Sequence, residues 1–336
     1  QSAPVTEEGD GYVWSHVFQP HESVLLAVRQ DGKRQAKPQR RETKPVNEIK
    51  LDGPWEFRLS SENMLLLDTQ IAPDHRGTGL DKGWHSPRAK APWETMEKGK
   101  GSFVLDPSFL KAFWLKATIN CREHIGDLSV IIEGETTTRV FVNGREARQS
   151  VQHTLWDTQN VAFDIGNIAK RGRNVITIYK ECNDYGRIEY MRGWHGCEPT
   201  PVVLGGSFKV DSGNRLQKLP QPDHIETGSW HTQGYPSYAG EATLAKDVQL
   251  QKTPGKAALR LDGARDVITV RVNGRKAGTR AWSPYEFEIG NLLKKGRNRI
   301  ELVVSNTLGN ILKNTYFGWD DNVYPSGIAG AVIEIR

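Results

Sequence analysis

The sequence predicts an all-β protein made of tandem jelly-roll β-sandwiches, and three observations carry that prediction. Strand-length apolar runs recur along the chain, separated by turns rich in Gly, Pro and Asn. No long amphipathic helical pattern interrupts them. Two stretches of the chain also repeat each other in order, which marks a duplicated structural unit.

The repeat is specific. Thr138–Ala147 (TRVFVNGREA) matches Ile268–Ala277 (ITVRVNGRKA), with Asn143 and Asn273 lying 130 positions apart. Phe163–Asn174 matches Phe287–Asn298 at a spacing of 124, and Leu204–Ser207 matches Ile328–Ala331 at the same spacing. The intervening loop, which holds Trp156 and Asp157, is therefore six residues longer in the first copy. Val-Asn-Gly-Arg reads as a strand running into a tight turn, because Asn and Gly tolerate the positive φ that a two-residue hairpin demands. Gly-Arg-Asn reads as a second turn, before the alternating strands Val175–Tyr179 and Ile300–Val304.

From the N-terminus, Tyr12–Phe18 and Val24–Val28 flank a turn at Pro20 and read as the closing hairpin of an upstream sandwich, spanning 1–32. A basic linker, 33–46, follows; its run Lys33–Lys44 contains no aromatic residue and reads as solvated chain. The first sandwich is placed at 47–213, with strands at Trp55–Leu59, Ala112–Ile119 and Leu128–Ile132. The second is placed at 214–336, after a polar, Pro-containing stretch at 214–223, with strands at Ala242–Val248 and Ala257–Leu261.

With 336 residues the chain can bury two ordinary cores. The formal net charge of +5 is mild, and without interleaved aromatics it implies no nucleic-acid partner. No apolar run reaches the length of a membrane helix, so no membrane partner is expected. The N-terminus has no leader pattern, which fits either a mature chain or a segment of a longer one. The three cysteines, Cys121, Cys182 and Cys197, contain no Cys-x-x-Cys pair, which argues against zinc. Cys182 and Cys197 bracket one loop and are the pair best placed to bridge; free thiols remain the alternative.

Glycoside cleavage needs two carboxylates about 5 to 9.5 Å apart. No pair stands out, and Asp320 and Asp321, as chain neighbours, would point to opposite sides of an extended segment. Sugar binding asks instead for a flat ring beside polar groups. In the second copy the candidates are Trp282, Tyr285, Trp319, Asp320, Tyr235 and Tyr238; in the first they are Trp194, Asp184 and Tyr185. The competing reading is that such rings plug the ends of the sandwiches.

Leu261–Gly278 (LDGARDVITVRVNGRKAG) and Gly234–Gly240 (GYPSYAG) resemble the galactose-binding-like jelly rolls of glycoside hydrolases. Together with Asn63–Asp68 (NMLLLD) and Phe18–Leu26, they are similar to the C-terminal part of large bacterial α-L-rhamnosidases of glycoside hydrolase family 106. The barrel that would carry catalytic carboxylates in such enzymes has no counterpart in this sequence. The resemblance implies a carbohydrate-binding accessory region of a secreted or periplasmic enzyme acting on plant-type polysaccharide. Its implied partners are a glycan and the catalytic part of the same parent protein. Sandwiches of this type often hold a structural calcium ion, although no EF-hand pattern is present and the sequence names no ligand. Two alternatives stay open: a glycosidase with its cleft between the sandwiches, and a protein-interaction scaffold.

Overall fold

The computed structural model describes residues 5–8, 11–15, 17, 45–95, 111–134, 136–152, 155, 157–182, 200–312 and 323–336. The basic run 33–44 and the strand expected at Val24–Val28 lie outside the described residues. Val5–Glu8 pairs antiparallel with Gly11–Trp14, and the turn expected at Pro20 lies outside the described residues.

Each copy of the repeat is a two-sheet sandwich. In the first, Ala112–Cys121 and Gly172–Glu181 form a ten-residue antiparallel pair, and Thr138–Val142 extends that sheet. The facing sheet contains Ser129–Glu133, Asn160–Asp164, Val203–Gly206 and Asn63–Leu66. In the second, Glu241–Leu250 and Gly296–Ser305 form the equivalent ten-residue pair, flanked by Val267–Val272. Its facing sheet contains Ala257–Asp262, Glu286–Glu288 and Gly330–Ile335. Alternating side chains from both sheets of each sandwich fill one core, as the period of two dictates.

The sandwiches are nested rather than strictly tandem. Asn47–Lys50 pairs with Gly330–Ile335, and Trp55–Leu59 pairs with Glu241–Leu250 and Asp223–Ile225. Leu51, Trp55 and Phe57 are accordingly buried in the core of the second sandwich. The expected division at 213/214 is corrected on both sides. Residues 47–59 belong to the second sandwich, and Leu216–Lys218 still pairs with Phe208–Val210 and Ala112–Cys121 of the first. The first sandwich is thus inserted whole after the two opening strands of the second. Contact between them is sealed by Met64, Ile131, Ala162 and Val203 on one side and Ala239 and Ile311 on the other.

Both copies are closed by the same amide clasp. Asn273 (φ 51°) and Gly274 (φ 79°) make the hairpin turn, as do Asn143 (φ 53°) and Gly144 (φ 85°). Asn273 Nδ2 donates to Asn298 Oδ1 at 2.9 Å, and Arg299 N donates to Asn273 Oδ1 at 3.1 Å. Asn143 and Asn174 repeat this contact at 2.8 Å, with Val175 N donating to Asn143 Oδ1 at 3.0 Å. Asn298 is fully buried and its amide also bonds Lys294 O, Gly296 O and Lys294 N.

Outside the cores the copies diverge. The outer face of the first sandwich carries Trp114, Phe141 and Tyr179, covered by Trp84 from the segment after Gln70–Asp74. The second sandwich instead carries an ionic face, with Arg299 bonded to Glu56 and Arg297 to Asp247. Burial pushes the Tyr179 phenol up to about 12, so it stays neutral beside Glu181.

Removing the clasp has a calculable direction. Asn298→Ala removes a buried side chain that makes four part-buried hydrogen bonds, and about 2 kcal/mol of unfolding free energy should be lost. Urea unfolding checks this; a change of under about 0.5 kcal/mol would mean the clasp does not stabilise the fold.

Candidate carbohydrate-binding surface

One end of the second sandwich gathers a ring, a carboxyl group and exposed apolar surface. The register pairs Ile268 with Arg280, so Asp266 and Val267 leave the sheet beside Ala281 and Trp282. Trp282 is 50% exposed and Val267 is 42% exposed. An indole held open to water in the short loop between Arg275–Arg280 and Glu286–Glu288 is the feature that pyranose stacking requires.

Asp266 ties the loops of this end together. Its Oδ2 accepts from Gly327 N at 3.1 Å, and its backbone carbonyl accepts from the Tyr285 hydroxyl at 2.7 Å. Burial pushes its carboxyl up to about 6, against the stabilising bonds from Gly327 and Ser326. No neighbouring carboxylate contributes to this shift.

At this end the residues on either side of 313–322 are tied to each other. Asn310 Nδ2 donates to Tyr324 O at 2.7 Å, and Tyr324 N donates back to Asn310 Oδ1 at 2.9 Å. Asn310 Nδ2 also lies 2.8 Å from His231 Nε2, while His231 Nδ1 faces the Tyr235 and Pro236 carbonyls. That arrangement makes Nδ1 the protonated nitrogen and Nε2 the acceptor. Asn306 bridges Tyr238 O and Ser326 Oγ.

The structure separates the sequence candidates. Trp282 stands on the surface. Tyr235 and Tyr238 are fully buried and Tyr285 is 5% exposed, so the expectation that these three rings meet a sugar is corrected: they have no free face to offer. Tyr235 packs on Phe57 at 4.8 Å and donates its hydroxyl to Asp223 at 2.6 Å; desolvation and this carboxylate push the phenol up. Tyr238 packs on Trp230 and donates to Glu241 O at 2.6 Å. Trp319, Asp320, Trp194, Asp184 and Tyr185 lie outside the described residues. Asp266, Val267 and Ser326 were not singled out by sequence, although Asp266 and Val267 fall within the Leu261–Gly278 motif.

Cys182 is disulfide-bonded and Cys121 is free and buried; Cys197 lies outside the described residues. Among the described residues no cluster of three or more His, Cys, Asp or Glu could hold a metal ion. Among the described residues no helix is long and apolar enough to cross a membrane.

No protein-family model matches the chain. A putative beta-glucuronidase of Formosa agariphila is 28% identical over 121 residues, which is 34% of this chain and 10% of that protein. A beta-glucuronidase from Ruminococcus gnavus is 15% identical, covering 74% of this chain and 40% of that one at a TM-score of 0.30. A beta-glucuronidase from glycoside hydrolase family 2 gives 14%, 74%, 27% and 0.33 for the same quantities, and a rhamnosidase from Novosphingobium sp. PP1Y gives 15%, 80%, 25% and 0.29. The chain therefore spans one tenth of its curated relative's length and well under half of these solved chains. Over 121 residues the chain is similar to one glycoside hydrolase, and the likeness does not single out family 106.

Asp266 gives this end a pH signature. Its folded-state pKa lies above the unfolded value, so folding favours the protonated form. That contribution is complete below about pH 4 and is lost as pH rises through about 6. Asp266→Asn should therefore be more stable than the parent by about 1–2 kcal/mol at pH 8, with the advantage gone below about pH 4. Denaturant midpoints across that range measure it; a constant difference would contradict the assignment.

Proposed function

We propose that this chain is a non-catalytic, glycan-binding region of a larger glycoside hydrolase, presenting polysaccharide to a catalytic part carried elsewhere. The observation that carries the reading is Trp282, exposed in the loop after Arg275–Arg280 at the end of the sandwich that also holds Asp266. A ring that costs apolar exposure and packs no core is best explained by a ligand that stacks on it. Asp266 supplies a hydrogen-bonding group that changes charge near pH 6. The bridged Cys182 supports a secreted or periplasmic location, where disulfides persist.

Affinity electrophoresis of the full chain in gels of neutral plant polysaccharides tests the proposal. Retardation should fall about tenfold in Trp282→Ala, the loss of one stacked ring, with an unchanged unfolding midpoint. Equal retardation of parent and variant, or hydrolysis of an aryl glycoside that a single carboxylate substitution abolishes, would overturn it.

A further inference from the structure

The opposite end of the second sandwich, away from Trp282, holds a groove of about 380 Å³. Lys256, Arg275, Lys276, Glu288, Asn291 and Leu292 line it. The floor is backbone: a Cβ on Gly290 would sit 2.7 Å from Ala257 N, so the two segments touch there directly. Lys295 N donates to Thr253 Oγ1 at 3.0 Å, which draws the Lys294–Lys295 turn against the 252–256 loop. Glu288 is paired with Arg336 at 3.4 Å. Lys256, Arg275 and Lys276 make no ion pair with a described residue.

The duplication provides an internal control. Ile289 N donates to Ala257 O at 2.9 Å, and Ile165 N donates to Leu128 O at 2.9 Å, so Asp127 occupies the position of Lys256. Arg271 faces Lys276 where Phe141 faces Glu146, so Glu146 occupies the position of Lys276. Ala258 faces Glu288 where Ser129 faces Asp164. One backbone thus carries three cations and one carboxylate in the second sandwich, and one cation (Arg145) and three carboxylates in the first. The fold tolerates either sign here, so scaffold requirements do not explain the unpaired cations of the second copy.

We infer that this groove binds an anionic polysaccharide, a chain bearing carboxylate or sulfate groups, at a site separate from the Trp282 surface. An open groove with several unpaired cations along it suits a repeating polyanion, whose successive charges meet Lys256, Arg275 and Lys276 in turn. It contains no aromatic ring on which a nucleobase could stack, which favours a glycan over single-stranded nucleic acid.

The test is binding of the full chain to alginate, to dextran sulfate and to uncharged dextran, by biolayer interferometry at roughly 20 and about 500 mM NaCl. The expected result is binding to one or both charged polymers and not to dextran, weakened by salt. Lys256→Asp with Lys276→Glu, the residues of the first sandwich, should weaken it about tenfold or more. Trp282→Ala should leave it unchanged. Arg275→Gln, a milder change, should weaken it in part and serves if the double variant unfolds. The relative strength on alginate and dextran sulfate identifies the preferred anion. The inference is overturned if neither polymer binds, if the groove variants bind as the parent does while Arg40→Glu with Arg41→Glu in the basic run abolishes binding, or if a DNA duplex binds more tightly than either polymer.

Discussion

An amide pair, one partner of it buried and the other half-buried, holds each sandwich closed. The hairpin tip reaches across the sheet, and its Asn is received by a second Asn from the turn before the long central strand. Both side chains are short, so the two turns must stand at a fixed distance and orientation before either amide is satisfied. A buried amide left unpaired costs more than a made bond returns, and this asymmetry selects one register for the hairpin and one for the strand behind it. Everything outside the clasp is then free to vary, and it does. The outer face is aromatic in one copy and ionic in the other, and the groove charge is reversed.

Nesting adds a second constraint. The second sandwich draws its two opening strands from before the first sandwich and the remainder from after it. Its core therefore depends on contacts between residues nearly the full chain apart, such as Ile49 with Ile333. The first sandwich closes over a much shorter stretch, so topology favours its folding first. The arrangement also joins the sandwiches by two chain crossings instead of one. With the Met64–Ile311 seam, this makes a firm mount for surfaces at the two ends of the second sandwich.

The fold class and the duplication were legible because their signals are local. Asn-Gly at a hairpin and Gly-Arg-Asn before a strand state their backbone requirements within a few residues. The partition was not legible. Trp55–Leu59 and Asn63–Leu66 both read as strands, and nothing within either says which sheet it joins; the usual rule that successive strands neighbour one another points the wrong way here. The site was half legible for a similar reason. Sequence flags Tyr235, Tyr238, Tyr285 and Trp282 alike as loop aromatics, and only packing decides that the first three face inward. Asp266 lay inside a recognised motif, but its raised pKa comes from burial, which is a tertiary property. The charge reversal was present in the repeat as Glu146 against Lys276, yet it acquired meaning only once the groove was seen.

The central structural claim is that the second sandwich is built from 47–59 and the segment from 223 onward. Phe57 faces Asp223 across a strand pair, so Leu59 and Gln221 can be joined by a tight Asn-Gly turn with 60–220 removed. Equilibrium denaturation of that excised chain, beside a chain of 214–336 alone, is the most direct measurement. The excised chain should unfold in one cooperative transition, and 214–336 alone, lacking Leu51, Trp55 and Phe57, should show none. Cooperative unfolding of 214–336 alone, or its absence from the excised chain, would contradict the account.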